Sequence, residues 1–202
     1  GMNIFRAKKL KEGDDISFRL CNGTTEYKEV EYIISEANRA ISATQSVVII
    51  LPTHDDIIRF VNLVLNIKNK EQWALVMNRW GDKPDWFLLN RHLLNNGINM
   101  EYIGNGTGDL FNSVRLGKMT IMTYHSAKGL DFDNVFLPFV SSSLNIKNKT
   151  LFMVGMTRSK NNLYLTYSNT LHEYVLDFEN ECNKINIDSI ANISDDSSDF
   201  DF

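Results

Sequence analysis

Apolar positions recur along this chain with two periods, which divide it into alternating strand-like and helix-like stretches. Residues 16–21 (ISFRLC) alternate apolar and polar side chains as an amphipathic strand does, and Asn22-Gly23 ends the run. With Thr24 or Thr25 as N-cap, Tyr27, Val30, Ile33, Ile34, Ala37 and Ile41 then fall on one face at helical spacing. Residues 47–51 (VVIIL) form an unbroken β-branched and apolar run, the pattern of a central strand covered on both faces. Pro52 to Asp55 break it, and residues 57–67 are again helix-periodic behind Thr53 or Asp55. A strand-like run (ALVMNRW, 74–80) precedes a helical stretch over 86–95 that closes on Asn96-Gly97-Ile98. Strand and helix in alternation predict an α/β fold.

The densest patterning lies over 119–168. A strand-like run at 119–122 breaks into Thr123, His125, Ser126, Lys128 and Gly129 before a second apolar strand at 135–140. Thr157, Arg158, Ser159 and Lys160 then separate an apolar, strand-like run at 151–156 from a strand at 163–167. A strand that ends in a polar, glycine-containing turn presents ligands at its carboxyl edge.

Residues 123–138, TYHSAKGLDFDNVFLP, resemble motif V of the superfamily 1 helicases of the UvrD/Rep type, and residues 151–168, LFMVGMTRSKNNLYLTYS, resemble their motif VI. The two motifs stand in family order. The resemblance implies a RecA-like three-layer domain over 16–180, with a mostly parallel central sheet and helices on both faces. Motif V would span 119–140 and motif VI 151–168. It also implies the second of two motor domains that clamp ATP and Mg2+ between them while gripping single-stranded DNA. Arg158 would be the arginine finger, a forked and permanently charged group suited to phosphoryl oxygens. Gly129 and Asp131 would lie near the nucleotide, the acid at its ribose. The family usually has glutamate there, so Asp131 reaches one methylene less far. Thr123, His125 and Lys128 would contact DNA. The motif IV strand would be 47–51, but its usual arginine does not follow it, and Arg59 and Arg79 both remain candidates.

No GxxxxGK[ST] run occurs, so the chain cannot by itself cradle a triphosphate as a P-loop motor does. The expectation is a domain that is silent alone and works with an N-terminal P-loop domain, supplied in cis or in trans. The alternative is a non-catalytic helicase relic that binds DNA or protein. The short connection before motif V leaves no room for the large helical subdomain common in the family. Residues 104–108 (GNGTG) have no Lys-Ser/Thr after them and no evident helix, and are expected to be a flexible loop. Residues 73–91 hold all three tryptophans with Arg79, Lys83 and Arg91. They read either as a stacking platform for unpaired bases or as the packing of an inserted helix.

Composition refines this picture. A length of 202 residues with 43% hydrophobic content suits one domain. Residues 171–202 carry nine acids against Lys184 alone, a net of −8, so the first 170 residues carry +4 within a chain of −4. A mildly basic body is compatible with phosphate contact, which depends on local cations. Residues 1–15 read as a polar lead-in and 181–202 as an acidic, disordered tail. Cys21 and Cys182 are far apart and the four histidines lack metal-ligand spacing, so no metal site of the chain's own is expected. No run has the length of a membrane helix, and the cytoplasm is the expected location.

Overall fold

The computed structural model describes residues 16–144, 146 and 149–190. The lead-in expected over 1–15 and the acidic end over 191–202 lie outside the described residues. In chain order the elements are β1 (Ser17–Gly23), α1 (Glu26–Ser42), β2 (Val47–Leu51), α2 (His54–Ile67), α3 (Trp86–Asn95) and β3 (Met100–Tyr102). They continue with α4 (Leu110–Arg115), β4 (Met119–Thr123), β5 (Phe132–Leu137), α5 (Lys149–Met156), β6 (Ser159–Ser168), α6 (Glu173–Leu176) and β7 (Asn183–Asn186).

The strands form one sheet of order β3-β4-β2-β5-β6-β1-β7, and every ladder in it is parallel. β2 lies between β4 and β5, with Ile49 opposite both Ile121 and Phe136, and all five of its residues are buried. Parallel strands need crossover helices, and right-handed crossovers with both directions of travel along this order place helices on both faces. This is a RecA-like α/β fold. Among the described residues no helix is long and apolar enough to cross a membrane.

Local chemistry sets the helix starts. Thr25, the second of the two candidate caps, accepts from Lys28 N at 3.3 Å and opens α1. Thr53 rather than Asp55 caps α2, accepting from Asp56 N at 3.2 Å and donating to its carboxylate at 2.6 Å. The α1 stripe of Val30, Ile33, Ile34 and Ala37 is buried as expected, whereas Tyr27 keeps 38% exposure. Glu29 is buried among apolar side chains of that helix. Its Oε2 accepts from Phe139 N at 3.0 Å and Thr166 Oγ1 at 2.6 Å, which ties α1 to the far ends of β5 and β6. Burial raises its pKa from 4.5 to about 7, against the hydrogen bonds that favour the charged form.

Asparagine side chains brace the side of the sheet that β3 closes. Asn90 of α3 accepts from Tyr102 N at 2.7 Å and donates to Tyr102 O at 3.0 Å, which occupies edge groups of β3 as a further strand would. Asn62 of α2 pairs in the same way with both backbone groups of Trp73.

Four sequence expectations change. The apolar run 151–156 belongs to α5, because Gly155 lets that helix lie against the Tyr124 ring, where a Cβ would stand only 3.1 Å away. β5 begins at Phe132, three residues before the expected strand, and the chain leaves it at Pro138-Phe139, where Phe139 takes φ +61°. Residues 74–80 join no sheet and form one arm of a short hairpin, with Met77 bridged to Pro84. The tail expected from 181 begins instead with structure: β7 pairs with β1, Ile187 is buried behind it, and the Asp188 carboxylate accepts from Thr24 N at 2.9 Å.

Candidate functional site

Motif V folds as a strand followed by a single tight turn. Tyr124 N donates to Leu51 O at 3.0 Å, which carries the β2–β4 ladder one residue past Thr123. The Thr123 hydroxyl then accepts from Ser126 N at 3.2 Å and lies 3.1 Å from Ser126 Oγ, while Ala127 N donates to Thr123 O at 3.1 Å. This is the hydrogen bonding of a capped helical turn. It buries Tyr124 and Ala127 and turns His125 and Lys128 out to solvent. Gly129, at φ +84°, then reverses the chain into β5.

Because every strand runs the same way, the two ends of this turn lie at opposite edges of the sheet. Thr123 closes β4 at the carboxyl edge. Asp131 immediately precedes β5, and Arg158 immediately precedes β6, both at the amino edge, where Phe132 N donates to Arg158 O at 2.9 Å. Asp131 and Arg158 therefore come together, at the edge opposite to the one expected from a strand-then-turn pattern, with Gly129 in the turn between the two edges. Eight residues cross from one edge to the other, which separates Thr123 and His125 from the Arg158 group.

At the amino edge the guanidinium of Arg158 is tied to its own chain. Nε donates to Val154 O at 3.0 Å, Nη1 to Leu130 O at 3.2 Å and Nη2 to Thr157 Oγ1 at 3.0 Å. Nη1 also stands 3.6 Å from Asp131 Oδ1, an ion pair longer than a hydrogen bond. The Arg158 side chain keeps 19% exposure and that of Asp131 44%, so the pair opens to solvent. Nothing lies within 4 Å of a Cβ built on Gly129.

At the carboxyl edge the sequence 104–108 is ordered, contrary to the flexible loop expected. Gly104 and Thr107 exchange backbone hydrogen bonds at 3.0 and 2.8 Å, and a helix does open beyond the loop, α4, capped by Asp109. Gly104 sits at φ +152°, where a Cβ would be 2.8 Å from Tyr102 Oη and 2.9 Å from Ser126 Oγ. Its lack of a side chain is what lets this loop touch motif V. Asn105 Nδ2 donates to Tyr102 Oη at 2.9 Å and stands 3.2 Å from His54 Nε2. His54 packs edge-on against Trp86, and burial, the largest influence, lowers its pKa. Sequence reasoning gave no role to His54, Gly104 or Asn105 and named Ser126 only as part of the polar turn, and only the glycines of GNGTG hinted at a special backbone there.

Neither motif IV candidate reaches Arg158. Arg59 pairs with Glu26, and its guanidinium carbon lies 5.1 Å over the Phe139 ring, just past the end of β5. Arg79 lies 4.4 Å over the ring of Trp80. The tryptophans divide: Trp73 and Trp86 are buried, Trp86 stacked on Tyr102 at 3.9 Å, whereas Trp80 is exposed. Among the described residues no cluster of three or more His, Cys, Asp or Glu has the geometry to hold a metal.

Residues 53–170 match the family model of the UvrD-like helicase C-terminal domain. Among curated proteins, the chain is 34% identical over 74 residues to an ATP-dependent DNA helicase Rep of Buchnera aphidicola, covering 31% of this chain and 11% of that protein. It is 38% identical over 66 residues to a probable DNA helicase II homolog of Rickettsia conorii, covering 26% of this chain and 10% of that one. The aligned segments thus span only a small part of those relatives. Among solved structures, the C-terminal domain of a possible DNA helicase from Lactobacillus plantarum superposes with a TM-score of 0.53 at 13% identity, over 91% of this chain and 92% of that chain. That likeness concerns the fold.

Proposed function

Since the chain belongs to the family of UvrD-like helicase C-terminal domains, we propose that it is the second motor domain of an ATP-driven DNA helicase or translocase. The observation that carries this reading is the turn over 124–131, which joins a solvent-facing polar cluster at one sheet edge to the Arg158–Asp131 pair at the other. A displacement at either end is transmitted through eight residues pinned between buried Tyr124, Ala127 and Phe132.

On this reading Thr123, His125 and Lys128 meet the single strand, with His125 and Lys128 on the open side of the turn. Arg158 meets the γ-phosphate, and Asp131 a ribose hydroxyl. ATP with Mg2+ supplies the phosphoryl group to be transferred and the charge that neutralises it. The fit to this chain is partial. A cation and a carboxylate open to solvent are present, but no P-loop and, among the described residues, no metal-binding cluster. An N-terminal P-loop domain, in cis or in trans, would hold the rest. The long ion pair to Asp131 is the weakest of the Arg158 ties and the first that a phosphate would replace, while the Val154 and Leu130 carbonyls keep the guanidinium aimed.

In the complete motor, Arg158→Ala is expected to lower DNA-stimulated ATP hydrolysis by ~10³-fold or more, the range for an arginine finger. Oligonucleotide affinity should stay near that of the unsubstituted protein. Retained hydrolysis removes Arg158 from the site.

A further inference from the structure

The segment between α2 and α3 is a braced hairpin whose tip has no part in the core. Asn78 N donates to Lys83 O and Asp85 N to Val76 O, both at 2.7 Å. Asn78 also builds the turn, its Oδ1 accepting from Trp80 N at 3.1 Å and its Nδ2 donating to Asp82 at 2.8 Å, with Gly81 at φ +71°. The base is fixed on both sides, by the Asn62 clamp on Trp73 and by Trp86 stacked on Tyr102. On this support Trp80 is 74% exposed, with the Arg79 guanidinium over its ring. A large indole held out in water by an ordered turn adds little to folding, because its apolar area stays unburied.

We propose that Trp80 is a stacking platform for an unpaired base, so that the strand track at the carboxyl edge continues from the motif V turn onto this hairpin. The proposal rests on the strand-binding part of the function above. Two observations select a nucleic acid as occupant. Arg79 and Lys83 put cations at the tip, and an aromatic ring beside guanidinium and ammonium groups is what a base and its phosphate require. The hairpin also adjoins the candidate interface. Trp86, which opens α3 directly behind the hairpin, packs edge-on against His54 with ring centroids 4.9 Å apart. His54 leads through Asn105 and Gly104 to Ser126 and the Thr123 cap. A chain of contacts thus runs from Trp86 at the foot of the hairpin through His54, Asn105 and Gly104 to the turn.

The test uses this chain and a fluorescein-labelled oligothymidylate, read by anisotropy at low salt and by intrinsic tryptophan fluorescence. The unsubstituted chain should bind the strand and lose tryptophan emission on binding, since Trp73 and Trp86 are buried and Trp80 is the ring within reach. Trp80→Ala should weaken binding by roughly 5- to 150-fold, the span of base–aromatic stacking. It should also abolish the quenching and leave the thermal midpoint unchanged, while Trp80→Phe binds nearly as the original does. Unaltered affinity and quenching in Trp80→Ala, with His125→Ala still weakening the complex, would overturn this inference and leave the proposed function standing. The exposed Leu75, Val76 and Met77 would then belong to a protein contact. A Trp80→Phe chain as weak as Trp80→Ala would overturn stacking. No binding by the unsubstituted chain would overturn the strand reading together with this one.

Discussion

The two ends of the 124–131 turn are built from similar material in opposite ways. At the carboxyl edge the hydrogen bonds run among neighbours that support one another, Thr123 with Ser126, Asn105 with Tyr102, and Gly104 pressed against Ser126, while His125 and Lys128 stand free in solvent. At the amino edge the functional candidate itself carries the bonds: Arg158 donates to the Val154 and Leu130 carbonyls and to the Thr157 hydroxyl, and its charge leans towards Asp131. On the proposed reading one edge is a ready surface, and the other holds a side chain that exchanges a partner before it acts. A binder of long strands needs the first, and a group that responds to one phosphate needs the second.

The carboxyl edge is most sensitive at Gly104. Gly104→Val would place a β-branched side chain at φ +152° and within 3 Å of Tyr102 Oη and Ser126 Oγ. Strain and overpacking together should cost ~2–4 kcal/mol, read as a lower urea midpoint. Strand binding should fall with it, while the hydrogen bonds of Arg158, on the far edge, persist. Wild-type stability in this variant would contradict the close approach.

Glu29 gives a smaller effect with a defined pH window. Its folded pKa is about 7, above the ordinary 4.5, so the folded state holds the proton more tightly than the unfolded one. The stability it contributes is full below 4.5 and is lost as pH rises through about 7. The loss is on the order of 3 kcal/mol, from a group tied to Phe139 and Thr166 and remote from Arg158. Thermal midpoints measured from about pH 5 to pH 8 should decline in the original chain. They should run flatter in Glu29→Gln, whose amide oxygen can still accept from Phe139 N and Thr166. Equal slopes in the two chains would show that Glu29 does not titrate in this window.

Much of this frame was legible before any coordinates. The β-branched run VVIIL reads as a strand buried on both faces, and its five residues are; the Thr25 and Thr53 caps stood among the candidates. The resemblance to motifs V and VI marked Asp131 and Arg158, which the fold brings to one edge. What stayed hidden has physical reasons. A run of six apolar residues serves a helix as well as a strand, and Tyr124 against Gly155 decides for the helix. β7 is held by backbone pairing with mostly exposed side chains, so no hydrophobic pattern announces it. The edge at which a turn ends depends on how far it travels across the sheet, and no local pattern encodes that. The Gly104 contact with Ser126 joins residues 22 positions apart through a missing Cβ, which leaves no periodic trace.

The division of labour between the two edges is tested most directly in the complete motor by ATP hydrolysis titrated with single-stranded oligonucleotide, run side by side for Arg158→Ala and His125→Ala. Arg158→Ala is predicted to collapse the maximal rate while the oligonucleotide concentration for half-stimulation stays put. His125→Ala should raise that concentration and leave the maximal rate largely intact. If both substitutions move the same parameter, the two edges do not serve separate ligands, and the account built on this turn is wrong.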